Sequence, residues 1–288
     1  MASRLLEIFF SIACFALCTL LAAACVRAKA RALLDHEPDE RSQSEPQHRT
    51  QGSRLALSLA AFTALAAFLG IPFGTLPALL SFKGWGALVV LACLTLASGF
   101  AGEWKWDAAM RRRTCVLVFL GLSLALCVWY ARQKGMPGEL FSLDTYVVTP
   151  LAGLMGWWER LGMLLLALAL LFAVRDVQQD LASGLVWLTR LEPSEARAAV
   201  SWALAGQVWI LAVLGVAVCL FVPFSPAAWL GMSGVTGMVV NVLLFWLKVL
   251  IVDHVLWLAR NTLPQISARL PWAQVLLAGL GALCLFFV

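Results

Sequence analysis

Val235–Leu270, VTGMVVNVLLFWLKVLIVDHVLWLARNTLPQISARL, decides how the chain is read. Its first part, Val235 to Leu258, is one apolar run, and about 20 residues at 1.5 Å each span the hydrocarbon of a bilayer. The run predicts a transmembrane helix with Lys248 near its middle and Asp253 and His254 just beyond. A bare charge at that depth costs roughly 3 kcal/mol on insertion scales, so such residues face protein, water or each other. One reading is structural pairing, with Lys248 against a carboxylate of another helix and Asp253 and His254 snorkelling from the helix end. The other is a functional polar path. At 100° per residue Asn241 shares a face with Lys248, Asp253 with Arg260, and His254 with Asn261. Lys248 and Asp253 point about 140° apart, so each is expected to find its partner elsewhere.

Working outward, the 288 residues are 62 % hydrophobic and 13 % charged, with a mean hydropathy of +0.87. That composition reads as a polytopic, all-α integral membrane protein forming a single transmembrane domain over residues 1–288. The net charge of +5 is accounted for by loop asymmetry, so no nucleic-acid partner is expected. The first apolar run is kept as a helix, because Arg27, Lys29 and Arg31 follow it like a stop-transfer flank. All eight cysteines fall within or at the edge of apolar runs and no C-x-x-C occurs. With His36, His48 and His254 scattered as well, neither metal nor cofactor is expected in this chain.

Eight spans are expected, at about Glu7–Val26, Leu55–Ile71, Gly84–Ala101, Thr114–Tyr130, Gly156–Val174, Val200–Val222, Val235–Leu258 and Trp272–Val288. The loop Arg27–Arg54 is polar, and its part Asp35–Arg49 has the composition of an exposed segment. Trp104 and Trp106 read as interfacial anchors, and Val147–Trp158 as an interfacial stretch. Ser194 reads as the cap of a short helix with Glu195 and Arg197 in its first turn. Fifteen of the 21 lysines and arginines fall in the first, third, fifth and seventh loops, against five in the N-terminus and the even loops. The positive-inside rule then puts the odd loops in the cytoplasm and both termini outside.

Two motifs carry a resemblance. Phe172–Gly184 reads FAVRDVQQDLASG and is similar to the F-D-x-P-E-x-E-S-E-L-V-A-G of the fifth-to-sixth loop of the first membrane subunit of respiratory complex I. The same subunit anchors formate hydrogenlyase and other energy-converting membrane hydrogenases. Phe172, Asp176, Asp180, Leu181 and Gly184 match in kind, and Arg260–Pro264 (RNTLP) resembles the family's W-x-R-x-T-L-P, with Trp257 offset by one position. The chain departs from the pattern at Ala173, Gln178, Ser267 and Arg269, and Arg27–Arg54 holds no Gly-Pro pair. That last departure favours a hydrogenase-type setting over a retained quinone pocket.

The resemblance implies a non-catalytic subunit of a multisubunit, redox-driven proton-translocating complex in the inner (cytoplasmic) membrane. Its partners would be antiporter-like membrane subunits and a soluble, hydrogenase-like arm that carries the iron–sulfur clusters. Asp176 and Asp180, four apart on one helical face, would stand at the mouth of a proton path, with Gln178 at the family's second acidic position and Lys248, Asp253 and His254 deeper along it. Arg175, Arg190, Arg197, Arg260 and Arg269 would meet the docked arm. A stand-alone ion or small-molecule transporter is the rival expectation, weakened by the lack of an internal repeat between residues 1–144 and 145–288. A passive membrane scaffold is a third. A membrane enzyme comes last, since no H-E-x-x-H, G-x-S-x-G, C-x-x-C-H or Gly-rich phosphate loop occurs.

Overall fold

The computed structural model describes residues 2–34, 54–73, 78, 84–101, 107–188, 193–223, 230–232, 234–262 and 270–286. Its regular elements are all helical: α1 (Ala2–Leu34), α2 (Arg54–Phe68), α3 (Gly86–Ala101), α4 (Ala108–Gln133), α5 (Leu143–Val148), α6 (Trp157–Leu188), α7 (Pro193–Phe221), α8 (Gly234–Thr262) and α9 (Leu270–Phe286). A short 3-10 turn, Leu151–Gly153, joins α5 to α6. The α1, α4, α6, α7 and α8 helices each hold a stretch long and apolar enough to cross a membrane. The remaining long elements, α2, α3 and α9, are apolar but shorter, at 15, 16 and 17 residues. The Asp35–Arg49 segment, Trp104, Trp106, Arg190 and Arg269 lie outside the described residues.

The α1, α4, α6, α7 and α8 helices run further than the apolar runs predict, largely through polar residues. Residues 26–34, VRAKARALL, continue α1, because alanine, arginine, lysine and leucine are strong helix formers whatever their polarity. The expected boundary at Val26 is therefore corrected, and Lys29 stands on a helix instead of in a loop. Asp107 caps α4 by accepting from the Met110 N–H at 2.7 Å, which starts that helix at Ala108 and carries Arg111, Arg112 and Arg113 onto it. The α6 helix continues past Val174 to Leu188, so Asp176–Asp180 is helical. Ser194 heads no separate short helix: Pro193 opens α7 itself, at the first-turn position where proline's missing N–H costs nothing.

At the centre stands α7, packed against α1, α2, α3, α4, α5, α6 and α8. From Val208 to Leu214 every side chain is buried, and from Val216 to Leu220 likewise. Second to it is α6, which packs against α1, α4, α7, α8 and α9. The α6–α9 crossing is close because Gly162 and Gly281 face each other: a Cβ on either would stand 2.8 Å from the other's carbonyl oxygen. Small residues that let backbones approach are the usual basis of helix association in lipid, where apolar surface alone gives no net drive.

One end of the bundle is marked by aromatic side chains. Trp85 stacks on Phe141 at 6.3 Å between ring centroids, and Trp157 and Trp158 lie exposed beside each other, the disposition of an interfacial belt. Nearby, burial holds the Tyr146 phenol well above its ordinary pKa. The ammonium of Lys134 is raised by its bonds to Glu159 and then Tyr130. From Trp157 the helix reaches Asp176 after about 28 Å at 1.5 Å per residue, close to the full hydrocarbon thickness of about 30 Å. The polar segment of α6 thus sits at the opposite edge of the apolar zone.

Candidate functional site

Four buried polar side chains from four helices meet at that opposite edge: Lys29 (α1), Gln178 (α6), Gln207 (α7) and Asp253 (α8). Lys29 Nζ lies 2.9 Å from Asp253 Oδ2 and donates to Asp253 Oδ1 at 3.0 Å and to Gln207 Oε1 at 2.9 Å. Gln178 Nε2 donates to Asp253 Oδ1 at 2.6 Å, and Gln207 Nε2 reaches the same oxygen at 3.2 Å. Gln207 therefore closes a ring, accepting from the cation and donating to the anion. The indole of Trp257, one helical turn past Asp253, lies under the ammonium at 5.0 Å, a cation–π contact. Lys29 is 5 % exposed, Asp253 2 %, and both glutamines 0 %.

This arrangement is what two opposite charges need in a dry interior. Desolvation of each ion is offset only when geometry is good and the remaining lone pairs and protons are satisfied. Asp253 Oδ1 takes three N–H donors and Lys29 spends its protons on two acceptor groups. An amide was required at 178 and 207 because a carboxylate there would add uncompensated charge, while an apolar residue would leave Oδ1 with fewer donors.

The other acids of α6 face elsewhere. Asp176 and Asp180, about 40° apart on the helix, stand about 160° to 200° from Gln178. Asp176 Oδ2 accepts from Gln274 Nε2 of α9 at 2.9 Å, and Asp180 pairs with Arg112 of α4. Arg175 is buried beside them. One polar hexapeptide, RDVQQD, thereby ties α6 to α4, α8 and α9 at the same level.

The structure does not gather the whole expected path. Lys248 is half-buried and donates to the Val222 carbonyl at 3.1 Å, just past the end of α7, where a cation meets an orphan carbonyl and the negative end of the helix dipole. This backbone carbonyl is one of the partners of Lys248. His254 is exposed on the outer face of α8 with Ile251, Val255 and Leu258, turned away from Asp253. Arg197 and Arg260 lie on helical backbone whose side chains fall outside the description, as Arg190 and Arg269 do altogether. Among the described residues, no group of three or more histidine, cysteine or acidic side chains could hold a metal ion.

Sequence reasoning missed Lys29 and Gln207. Lys29 carries a faint signal: it sits seven residues after Ala22 and eleven after Cys18, on the stripe of α1 that is buried in the core. Gln207 is the lone amide in the long apolar run of α7, and a polar residue in such a run faces protein by default. Compared with protein-family models and with curated proteins, the chain finds no match to either.

Proposed function

We propose that this chain is the membrane subunit of a redox-driven, proton-translocating complex of the complex I or membrane-bound hydrogenase type. In this reading it docks a soluble iron–sulfur arm at the basic end and passes protons to neighbouring membrane subunits. Eight crossings, with both termini outside the inner membrane, belong to the same proposal. The observation that carries it is the placement of Asp253: a buried carboxylate, paired with Lys29 and held by two amides, at the end to which the cationic loops belong. In this reading Asp253 is the carboxylate that takes and releases the proton, with Lys29 and the two amides holding it in place.

The apolar length of α7 beyond Gln207 supports a subunit over a transporter acting alone. From Val208 to Val218 the one polar group on the side chains of the central helix is the Trp209 indole N–H, taken by the Leu94 carbonyl at 2.9 Å, so a proton collected at Asp253 has its polar exit sideways, within the layer that also holds Asp176 and Asp180. A second reading, the passive scaffold, is favoured by one fact: Lys29 and Asp253 neutralise each other.

Two measurements separate these. Purification from native membranes in mild detergent is expected to yield a complex with the electron paramagnetic resonance of iron–sulfur clusters. A chain that runs alone and without clusters overturns the proposal. Replacing the pair by apolar residues, Lys29→Met with Asp253→Leu, is expected to leave assembly intact and abolish proton uptake in inverted vesicles. Unchanged uptake makes the pair a strut and the chain a scaffold.

A further inference from the structure

The Gln178 side chain is fully buried, and its Oε1 has no hydrogen-bond partner among the described residues. Its orientation is not free. Nε2 lies 2.6 Å from Asp253 Oδ1 and 3.3 Å from the Asp253 carbonyl oxygen, and both are acceptors only. Turning the amide over would set its oxygen against a carboxylate oxygen at that distance, so the network itself assigns the nitrogen to Asp253 and aims Oε1 away. A buried acceptor left in this way is costly to keep, and buried polar atoms in folded proteins are met by protein or by ordered water.

We propose that the Lys29–Gln178–Gln207–Asp253 cluster holds one internal water molecule, bound by donation to Gln178 Oε1. This deepens the reading above by naming how a proton reaches a pair otherwise sealed from solvent, and it rests on that reading for the proton's use though not for the water itself. The role is specific to oxygen chemistry. Asp253 Oδ1 is already taken by three donors, while Oδ2 is met among the described residues by Lys29 Nζ alone, so Oδ2 is where a proton can land. Transfer to Oδ2 breaks one O–H bond of a hydronium at the water position and forms one on the carboxylate. Because Oε1 points away from Asp253, it requires the hydronium to leave Oε1 for Oδ2 and the water to return; the Lys29 ammonium keeps its bond to Gln207 Oε1.

The test is water-edited solid-state NMR on the full chain in lipid bilayers, with labelled glutamine and tryptophan side chains. Trp209 supplies the dry reference, its indole N–H bound to the Leu94 carbonyl at 2.9 Å inside the apolar core. The Gln178 amide, assigned by its disappearance in Gln178→Met, is expected to receive water magnetisation at least tenfold faster than the Trp209 indole. Equal rates overturn the inference. Should the methionine variant fail to assemble, Gln178→Asn, which keeps a neutral amide and falls outside the glutamine label, supplies the assignment. Proton uptake in vesicles carrying Asp253→Asn is read alongside: lost uptake with a dry Gln178 removes the water and keeps the function. A wet Gln178 with normal uptake keeps the water and removes the function.

Discussion

Lys29 and Asp253 are each costly without the other. Breaking a buried pair by truncating one partner strands a charge and costs about 3–5 kcal/mol, whereas replacing both by apolar groups is close to neutral. Lys29→Met and Asp253→Leu are each expected to lower thermal stability in detergent sharply, and the double variant to recover most of the loss. The melting temperatures of the three check this, and additive losses would refute it. Lys248 answers to a different rule. As a cation at the end of α7 its replacement by methionine is expected to cost only about 0.3–1 kcal/mol, with proton uptake retained. Angular spacing on α8 made it legible that Asp253 and Lys248 do not pair, since the geometry follows from 3.6 residues per turn alone. The identity of the partner was not legible, because Lys29 follows an apolar run together with Arg27 and Arg31 and reads like them as a flank. Only the packing of α1 against α7 shows that its side is buried while Arg27 and Arg31 stay exposed.

Among the elements, α9 is held at its middle and at both ends. It packs on α6 through Gly162 and Gly281, with Gln274 holding Asp176 at one end and Phe286 against Trp129 at 4.5 Å at the other. Gly281→Leu is expected to destabilise by about 1–3 kcal/mol, the usual cost of overpacking. Gly279→Leu is expected to stay within about 0.5 kcal/mol, since nothing lies within 4 Å of a Cβ there. Protease sensitivity of the C-terminal helix distinguishes the two variants. The positions of the apolar elements could be read from hydropathy alone. Their neighbours could not: in lipid a leucine facing another helix and one facing an acyl chain cost nearly the same, so α7 and α8 look alike in sequence while one is the hub and the other lies largely outside. Helix ends were missed wherever polar helix formers continued an apolar run, as in α1 and α6.

For the whole molecule, the exposed charge at the cluster end is mostly positive. At the end that holds the cluster, Asp176 and Asp253 are bound by side chains of neighbouring helices and Asp180 by Arg112. Of the cations there, Lys29, Arg113 and Arg175 are buried while Arg27, Arg31 and Arg111 are exposed. By the positive-inside rule that end is expected on the cytoplasmic side. A periplasmic reporter such as alkaline phosphatase fused after Val288 is therefore expected to be active, and the same reporter inserted in the Asp35–Arg49 segment inactive. The reverse pattern would invert the topology and put the candidate site on the wrong side for a cytoplasmic arm. The apolar packing of α7 from Val208 to Val218 has a further consequence. That stretch of the central helix gives a proton no polar stepping stones across the bilayer, so under the proposed function a copy without partner subunits is expected not to leak protons, which a proton-flux assay on vesicles holding this chain alone would check.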